Sequence, residues 1–236
     1  MERKLPAISI IIPVYREEEL INGCLEDLAG IERISEAEVV VVDGGGGSTL
    51  HAIEKKEHSY SLITLESEKG RGKQQNRGAQ AARARVCLFL HVDTSLPKNA
   101  LSLIEHVLIS CDAGAFRLGI DSKRLFLRLG TLLANVRAAI IHIPYGDQAY
   151  FMKRELFFKV GGFQNIPIME DVALMVELRK RGVELGMLKE KVITSDRRWR
   201  KEGMLKATFR NWFLFASYRL GAPAEKLAHR YRPYIE

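Results

Sequence analysis

Apolar runs that alternate with segments of helical spacing constrain the fold of this chain more than any other feature. The runs are rich in β-branched residues, as in strands buried on both faces, and lie at Ala7–Val14, Glu38–Val42, Leu62–Leu65 and Val86–Leu90. The intervening segments predict helices over Glu17–Leu28, Ser48–His58, Gly70–Ala84 and Pro97–Ile109. Strand and helix in turn at this spacing predict an α/β fold with a mostly parallel, Rossmann-like central sheet and right-handed crossovers.

The alternation changes after residue 112. The pattern there predicts strands at Ala113–Leu118, Gln148–Met152, Glu184–Leu188 and Val192–Thr194, and helices at Leu125–Ile141, Arg154–Val160, Glu170–Arg181 and, with a break at Gly221–Pro223, Lys206–Glu236. No linker or repeat separates the parts, so we predict one domain over 1–236. Its parts are 1–112, 113–203 and a helical C-terminal tail (204–236).

The charge of the chain favours an anionic partner. The formal net charge is +7, with one basic cluster between Arg71 and Arg85 and another between Arg197 and Lys201. Three cysteines without CxxC spacing indicate a reducing compartment. The N-terminus lacks the apolar core of a signal peptide, and no run approaches the ~18 apolar residues of a membrane span. We therefore expect a cytoplasmic protein.

A His and an Asp follow the fourth apolar run. Because side chains alternate along a strand, His91 and Asp93 are expected to point the same way at its carboxyl end. Open α/β sheets bind ligands at that edge. The pair would suit Mn2+ or Mg2+, which could in turn hold a diphosphate. Alternatively, Asp93 is a solvated residue that caps the next helix.

The first two strands also end in residues able to bind a nucleotide. Tyr15 is placed to line a base or ribose, and Glu17 to accept from a hydroxyl. Asp43, before four glycines, is placed to read a base N–H or a ribose hydroxyl. The alternatives are simpler: Glu17 complements a helix N-terminus, and the glycines form a flexible turn.

Two further sequences combine charge with a helix start. Arg71 and Lys73, beside two glycines, would suit a diphosphate at a helix N-terminus, although a solvated basic face is the alternative. Glu170 and Asp171 would place one carboxylate in a cleft as a general base and the other as an orienting group. Alternatively, they are a helix cap and a first-turn charge.

Taken in chain order, these sequences resemble the inverting glycosyltransferases of family 2, which have the GT-A fold. The matching stretches are Ile10–Tyr15, Val40–Gly44, Gln75–Ala79, His91–Asp93, Gly161–Phe163, Glu170–Asp171 and Arg198–Trp199. Among bacterial subgroups, the chain most resembles transferases labelled arsenosugar-biosynthesis-type or radical-SAM-associated.

The resemblance implies that 1–112 is a nucleotide-binding half and 113–203 an acceptor-binding half. It also implies roles for individual residues. A nucleotide-sugar donor would lie against Pro13, Tyr15, Glu17 and Asp43, with Asp43 facing a uracil-like base. Asp93 would hold Mn2+ or Mg2+ on the diphosphate, with His91 as a second ligand or a diphosphate contact. Asp171 would deprotonate a hydroxyl-bearing acceptor, either a small molecule or lipid-linked, with Glu170 in support. Arg198 and Trp199 would correspond to the Arg-Trp end of a Gln-x-x-Arg-Trp motif.

Three departures from the family pattern bear on these roles. His91 replaces the first Asp of Asp-x-Asp, the second-strand motif carries extra glycines, and the Gln of the Arg-Trp motif is missing. The missing Gln argues for transfer of a single sugar.

Two other functions fit less well. A sugar-phosphate nucleotidyltransferase would carry a Gly-rich basic loop after the first strand, where Pro13–Arg16 stands. A basic module that binds a membrane surface or nucleic acid would explain the charge, but no nucleic-acid motif appears, so we predict no nucleic-acid partner. The aromatic stretch Phe209–Leu220 would permit peripheral contact with the inner face of the membrane; packing on the catalytic domain is the simpler alternative.

Overall fold

The computed structural model describes residues 5–122, 130–132, 134–136, 138, 140, 143–195 and 204–230. The strands are β1 (Ser9–Val14), β2 (Glu38–Asp43), β3 (Ser61–Glu66), β4 (Val86–Phe89), β5 (Thr94–Ser95), β6 (Ala113–Ile120), β7 (Phe151–Lys153) and β8 (Leu185–Thr194). The helices are α1 (Glu18–Ala29), α2 (Ser48–His51), α3 (Arg71–Ala81), α4 (Ala100–Val107), α5 (Arg154–Lys159), α6 (Glu170–Lys180), α7 (Met204–Arg219) and α8 (Ala224–Ala228). The described residues between 130 and 140 are also helical.

A single eight-stranded sheet forms the centre of the fold, in the order β3-β2-β1-β4-β7-β6-β8-β5. β1 pairs in parallel with β2 and β4, and β2 with β3. The predicted parallel sheet is therefore confirmed for the first four strands. β7 is antiparallel to β4 and β6, whereas β6 and β8 are parallel. The mixed α/β architecture confirms the predicted fold class.

The β-branched runs become strands because both faces of the sheet are covered. Ile10 and Ile12 of β1 lie in the apolar core on one side, and Ile11 lies in the core on the other. Phe89 of β4 packs against Phe157 and Phe163, with ring centroids 5.1 and 5.0 Å away. The sheet is thus rigid where its carboxyl-end loops begin.

Several predicted elements differ from those observed. The helices predicted over Gly70–Ala84 and Pro97–Ile109 are shorter, as α3 and α4. The helix predicted over Ser48–His58 is only α2, because Asn22 of α1 donates to the Ala52 carbonyl and accepts from Glu54 N–H beyond its end. The strand predicted at Gln148–Met152 begins only at Phe151. The two strands predicted after residue 184 form one, β8, whose pairing with β6 contains a bulge between Met187 and Lys191.

Candidate functional site

Asp43 shapes the loop that follows β2. Its side chain is fully buried, one carboxylate oxygen accepts from Gly45 N–H at 2.5 Å, and the other accepts from Thr49 N–H at 2.9 Å. The Thr49 hydroxyl accepts from Glu17 N–H at 3.1 Å, which ties the loops after β1 and β2 together. The carboxylate predicted to face a base is therefore turned into its own glycine loop.

Tyr15 lies just beyond the end of β1, half-buried, with Lys69 Nζ 4.2 Å from the centre of its ring. Pro13 is the second-last residue of the same strand. A proline is tolerated in this central strand because β4 ends opposite Ile11, so no β4 residue is paired with Pro13. Tyr15 and Pro13 thus lie, like the Asp43 loop, at the carboxyl ends of the parallel strands, as the sequence predicts.

Helix α3 connects the ends of β1 and β2 to the rest of the site. Its contacts through Gln74 and Asn76 were not predicted from the sequence. Gln74 is buried, and its amide donates to the carbonyls of Val14 and Val42, at 2.6 and 2.9 Å, which fixes the ends of β1 and β2. Asn76 donates to the Phe163 carbonyl and accepts from Phe163 N–H, both at 2.9 Å. Phe163 lies in the loop that leads to α6.

The two cations predicted to hold a diphosphate have different partners. Arg71, at the start of α3, places Nη1 3.6 Å from Oε1 of Glu170, while about half of its side chain stays exposed. Lys73 Nζ instead pairs with Oε2 of Glu68 at 2.6 Å on the surface. The structure therefore brings Arg71, but not Lys73, to the Glu170–Asp171 pair.

His91 and Asp93 lie in a turn, so the expectation that they share one face of a strand was wrong. β4 ends at Phe89, and Thr94 N–H donates to the His91 carbonyl at 3.1 Å to close the turn. Asp93 then leads into β5, which pairs with β8. The two residues do lie beyond the carboxyl end of a buried strand, as predicted.

Gly146 brings His91 and Asp171 together. Its N–H donates to Asp171 Oδ2 at 2.8 Å, and a Cβ at Gly146 would lie 2.9 Å from His91 Nε2 and 3.4 Å from Asp171 Oδ2. The other Asp171 oxygen accepts from Val172 N–H at 2.8 Å. The imidazole and the carboxylate therefore meet at one point, which any side chain at position 146 would fill.

Glu170 is the buried member of the acidic pair, with 4% of the residue exposed. Burial raises the pKa of its carboxyl to about 7; Arg71 opposes the rise and the charge of Asp171 adds to it. Tyr150 is also buried beside them, and burial together with the two carboxylates raises the pKa of its phenol. No sequence pattern singles out Tyr150, which falls inside the strand predicted at Gln148–Met152 and precedes the observed β7.

One face of α7 borders the acidic pair. Burial raises the pKa of the Tyr218 phenol, and the nearby charge of Asp171 adds to the rise. The centre of the Phe215 ring lies 5.9 Å from that of the Tyr145 ring. Arg198 and Trp199, predicted to contact the acceptor or the diphosphate, lie outside the described residues.

Comparisons with known proteins identify related sequences and similar folds. The family described as "Glycosyl transferase family 2" matches residues 9–158. Poly-beta-1,6-N-acetyl-D-glucosamine synthase of Staphylococcus epidermidis is 24% identical over 100 residues, which are 42% of this chain and 24% of that protein. Putative glycosyltransferase EpsH of Bacillus subtilis is 29% identical over 92 residues, 37% of this chain and 26% of the relative. The match thus spans about a quarter of the length of these curated relatives.

Two solved structures share the fold. S. aureus TarS (residues 1–349) in complex with UDP has a TM-score of 0.63 at 20% identity and covers 80% of this chain and 60% of its own. The mannosyltransferase PcManGT of Pyrobaculum calidifontis, in complex with GDP-Man and Mn2+, has a TM-score of 0.64 at 19% identity. The similarity covers 88% of this chain and 60% of the PcManGT chain.

Proposed function

The chain belongs to glycosyl transferase family 2, and on that premise we propose that it moves one sugar from a nucleoside-diphosphate donor to a hydroxyl acceptor. The donor is UDP-linked, and the anomeric centre is inverted in a single displacement. The acceptor is a hydroxyl-bearing small molecule or a lipid-linked one. We also propose the finer placement in the arsenosugar-biosynthesis-type or radical-SAM-associated subgroup, which rests on His91–Asp93, the four-glycine loop and the Arg-Arg-Trp-Arg segment at 197–200.

The meeting of Asp171 with His91 at Gly146 carries the proposal. A displacement at the anomeric carbon needs a base on the attacking hydroxyl and positive charge on the leaving diphosphate, held in line. Asp171 takes the hydroxyl proton. Two backbone N–H groups fix its orientation, and each oxygen retains a lone pair for the acceptor.

Arg71 supplies charge for the diphosphate. Its guanidinium stands at the N-terminus of α3, where the helix amides also favour an anion. Glu170 holds Arg71 in place and supports Asp171. Lys73, Arg198 and Trp199 stay in the proposal as contacts to the diphosphate or the acceptor.

The nucleoside lies at the carboxyl ends of β1 and β2. Tyr15, backed by Lys69, offers a ring face to the base, with Pro13 and Glu17 beside it. Asp43 acts here mainly by building the glycine loop, whose backbone then approaches the nucleotide closely. The bound UDP and UDP-GlcNAc of TarS support a uridine donor.

A divalent metal fits this chain as a companion of the donor. Within the described ranges, no three His, Cys, Asp or Glu side chains come close enough together to chelate an ion by themselves. Mg2+ commonly binds through one or two carboxylates and completes its shell with water and substrate phosphates, a pattern that Asp93 with His91 can serve. The Mn2+ bound to PcManGT supports the proposal. The ion would neutralise charge on the departing diphosphate.

Thermal shift with nucleotide sugars tests the donor. UDP-GlcNAc with Mn2+ is expected to raise Tm more than UDP-GlcNAc alone, and more than GDP-Man with Mn2+. A larger shift with GDP-Man would overturn the uridine assignment. If neither Mn2+ nor Mg2+ changed the shift, the proposed metal dependence would be overturned. Failure of every nucleotide sugar to shift Tm or release its nucleotide would overturn the transferase proposal.

A further inference from the structure

Helix α7 has an outer face that stays largely exposed in the described part of the chain. Its apolar residues recur at helical spacing, so at 3.6 residues per turn they fall within an arc of roughly 100°. They are Phe209 (72% exposed), Trp212 (58%), Phe213 (49%) and Leu220 (89%), which directly follows the helix and still donates its N–H to the Ala216 carbonyl. We call these four residues the outer face of α7. A large contiguous apolar surface of this kind marks an interaction site, whereas single exposed apolar residues are ordinary.

The opposite face of α7 is packed in the protein. Leu214 is buried, and Phe215 and Tyr218 pack against the core that contains Val172 and Leu174 of α6. The helix is therefore held by one side and exposes the other, as interfacial helices do. No described helix is long and apolar enough to cross a membrane.

The charge around the outer face selects the partner. The described residues 204–230 hold five Lys or Arg and one Glu, a net charge of +4. Arg219 is exposed at the end of α7, and the Arg230 guanidinium lies 5.3 Å from the centre of the Phe213 ring. Two copies of this face would bring like charges together, which disfavours a dimer. An anionic phospholipid surface accepts both the aromatic side chains and the cations.

We propose that the outer face of α7 inserts into the interface of an anionic phospholipid bilayer and docks the protein there. The inner face of the same helix borders Asp171, so docking brings the acceptor side within about one helix diameter, ~10–12 Å, of the lipid headgroups. The proposal goes beyond the transferase activity. Docking itself does not depend on that activity.

Sedimentation with lipid vesicles tests the docking. Binding is expected to vesicles of phosphatidylcholine with phosphatidylglycerol, to weaken about tenfold or more on vesicles of phosphatidylcholine alone, and to weaken with salt. The double variant Trp212→Glu and Phe213→Glu should bind the anionic vesicles at least about tenfold less tightly. The matched control is Ile109→Glu, because Ile109 is more exposed than either residue, at 82%, and follows α4, which packs on the other core from α7. It should bind as the wild type does.

Fluorescence reports insertion directly. The chain has two tryptophans, so in the Trp199→Phe protein Trp212 is the only one. Its emission should shift to the blue and be quenched by brominated acyl chains when anionic vesicles are added.

Several outcomes would overturn the docking proposal. They are equal binding by the double variant and the Ile109→Glu control, equal binding to both kinds of vesicle, and absence of vesicle binding by a protein that light scattering shows to be a dimer. A protein that binds vesicles but releases no nucleotide from any sugar donor would keep the docking surface and lose the proposed transferase function.

Discussion

Buried carboxylates in two regions of the sheet are balanced in different ways. In the parallel half (β1–β4 with α1–α4), Asp43 is satisfied by backbone N–H groups of Gly45 and Thr49, within six residues of itself. In the mixed half (β6–β8 with α5 and α6), Glu170 depends on Arg71, from the other half, and keeps a pKa raised to about 7.

Glu38, the other fully buried carboxylate of the parallel half, accepts from Ser9 and pairs with Arg83 at 2.7 Å; burial opposes these contacts, yet its pKa is lowered. The parallel half therefore satisfies its buried carboxylates as anions, whereas the mixed half holds one whose charged form is disfavoured. Perturbations of the two halves should differ in their dependence on pH.

The largest effect is expected at Asp171. Asp171→Asn keeps the size of the side chain and at least one of its backbone hydrogen bonds but removes the proposed base, so kcat should fall by about 10²–10⁴-fold. The affinity for UDP-GlcNAc, measured by titration calorimetry, should not change. The control is Glu177→Gln on the same helix, whose carboxylate pairs with Arg181 at the surface. Full turnover by Asp171→Asn would sink the base assignment.

Glu170 should make the stability of the protein depend on pH. Its folded pKa of about 7 lies above the ordinary value of 4.5, so the folded state binds its proton more tightly than the unfolded state does. Stability from this group is present below pH ~4.5 and is lost as pH rises through about 7. Glu170→Gln has no carboxyl to ionise, so its stability should not fall with pH in this way. The difference in free energy of unfolding, variant minus wild type, should therefore rise by about 1–3 kcal/mol from pH 5 to pH 8.

Urea denaturation across that pH range measures the effect of Glu170→Gln without metal or donor. Glu177→Gln again serves as the control, and its difference from wild type should stay flat. A flat difference for Glu170→Gln as well would mean that the two halves do not differ in the way proposed.

Gly78 tests the packing on which the parallel half rests. A Cβ at this position of α3 would lie 2.5 Å from Ile11 Cγ2 and 3.2 Å from Val42 Cγ2, so Gly78→Ala should lower the free energy of unfolding by about 1–3 kcal/mol, equally at pH 5 and pH 8. Gly23→Ala is the matched control. A Cβ there meets nothing within 4 Å in α1, and the change should stabilise by about 0.5–1 kcal/mol. A pH-dependent loss at Gly78 would contradict the comparison.

The parallel half was also the more predictable from sequence. Its strands follow from β-branched runs buried on both faces, a local signal that tertiary contacts reinforce. Its main miss, the length of α2, arises because Asn22 reaches over from another helix to bond Ala52 and Glu54.

The site in the mixed half was predicted as residue types rather than as geometry. The sequence places Glu170 and Asp171 at a helix start, and α6 begins there. It does not indicate that Arg71 would face Glu170, or that Gly146 would join Asp171 to His91, because these contacts link segments distant in the chain. Periodicity carries no information on such pairings.

Asn76 joins the two halves, and its replacement should have the smallest effect on stability but a specific effect on activity. Asn76→Ala removes two hydrogen bonds to Phe163, which should lower the free energy of unfolding by about 1–2 kcal/mol. Because the Phe163 loop leads to Asp171, the base should also be misplaced, and kcat should fall by about tenfold or more with no change in donor affinity.

Asn22→Ala is the matched control, because Asn22 makes the same two kinds of bond, to a carbonyl and an N–H, wholly within the parallel half. It should lose similar stability in urea and keep its kcat. If both variants lose activity in proportion to stability, Asn76 is merely structural. If only Asn76→Ala loses kcat, then the long-range contacts that the sequence does not reveal are the ones that position the reaction.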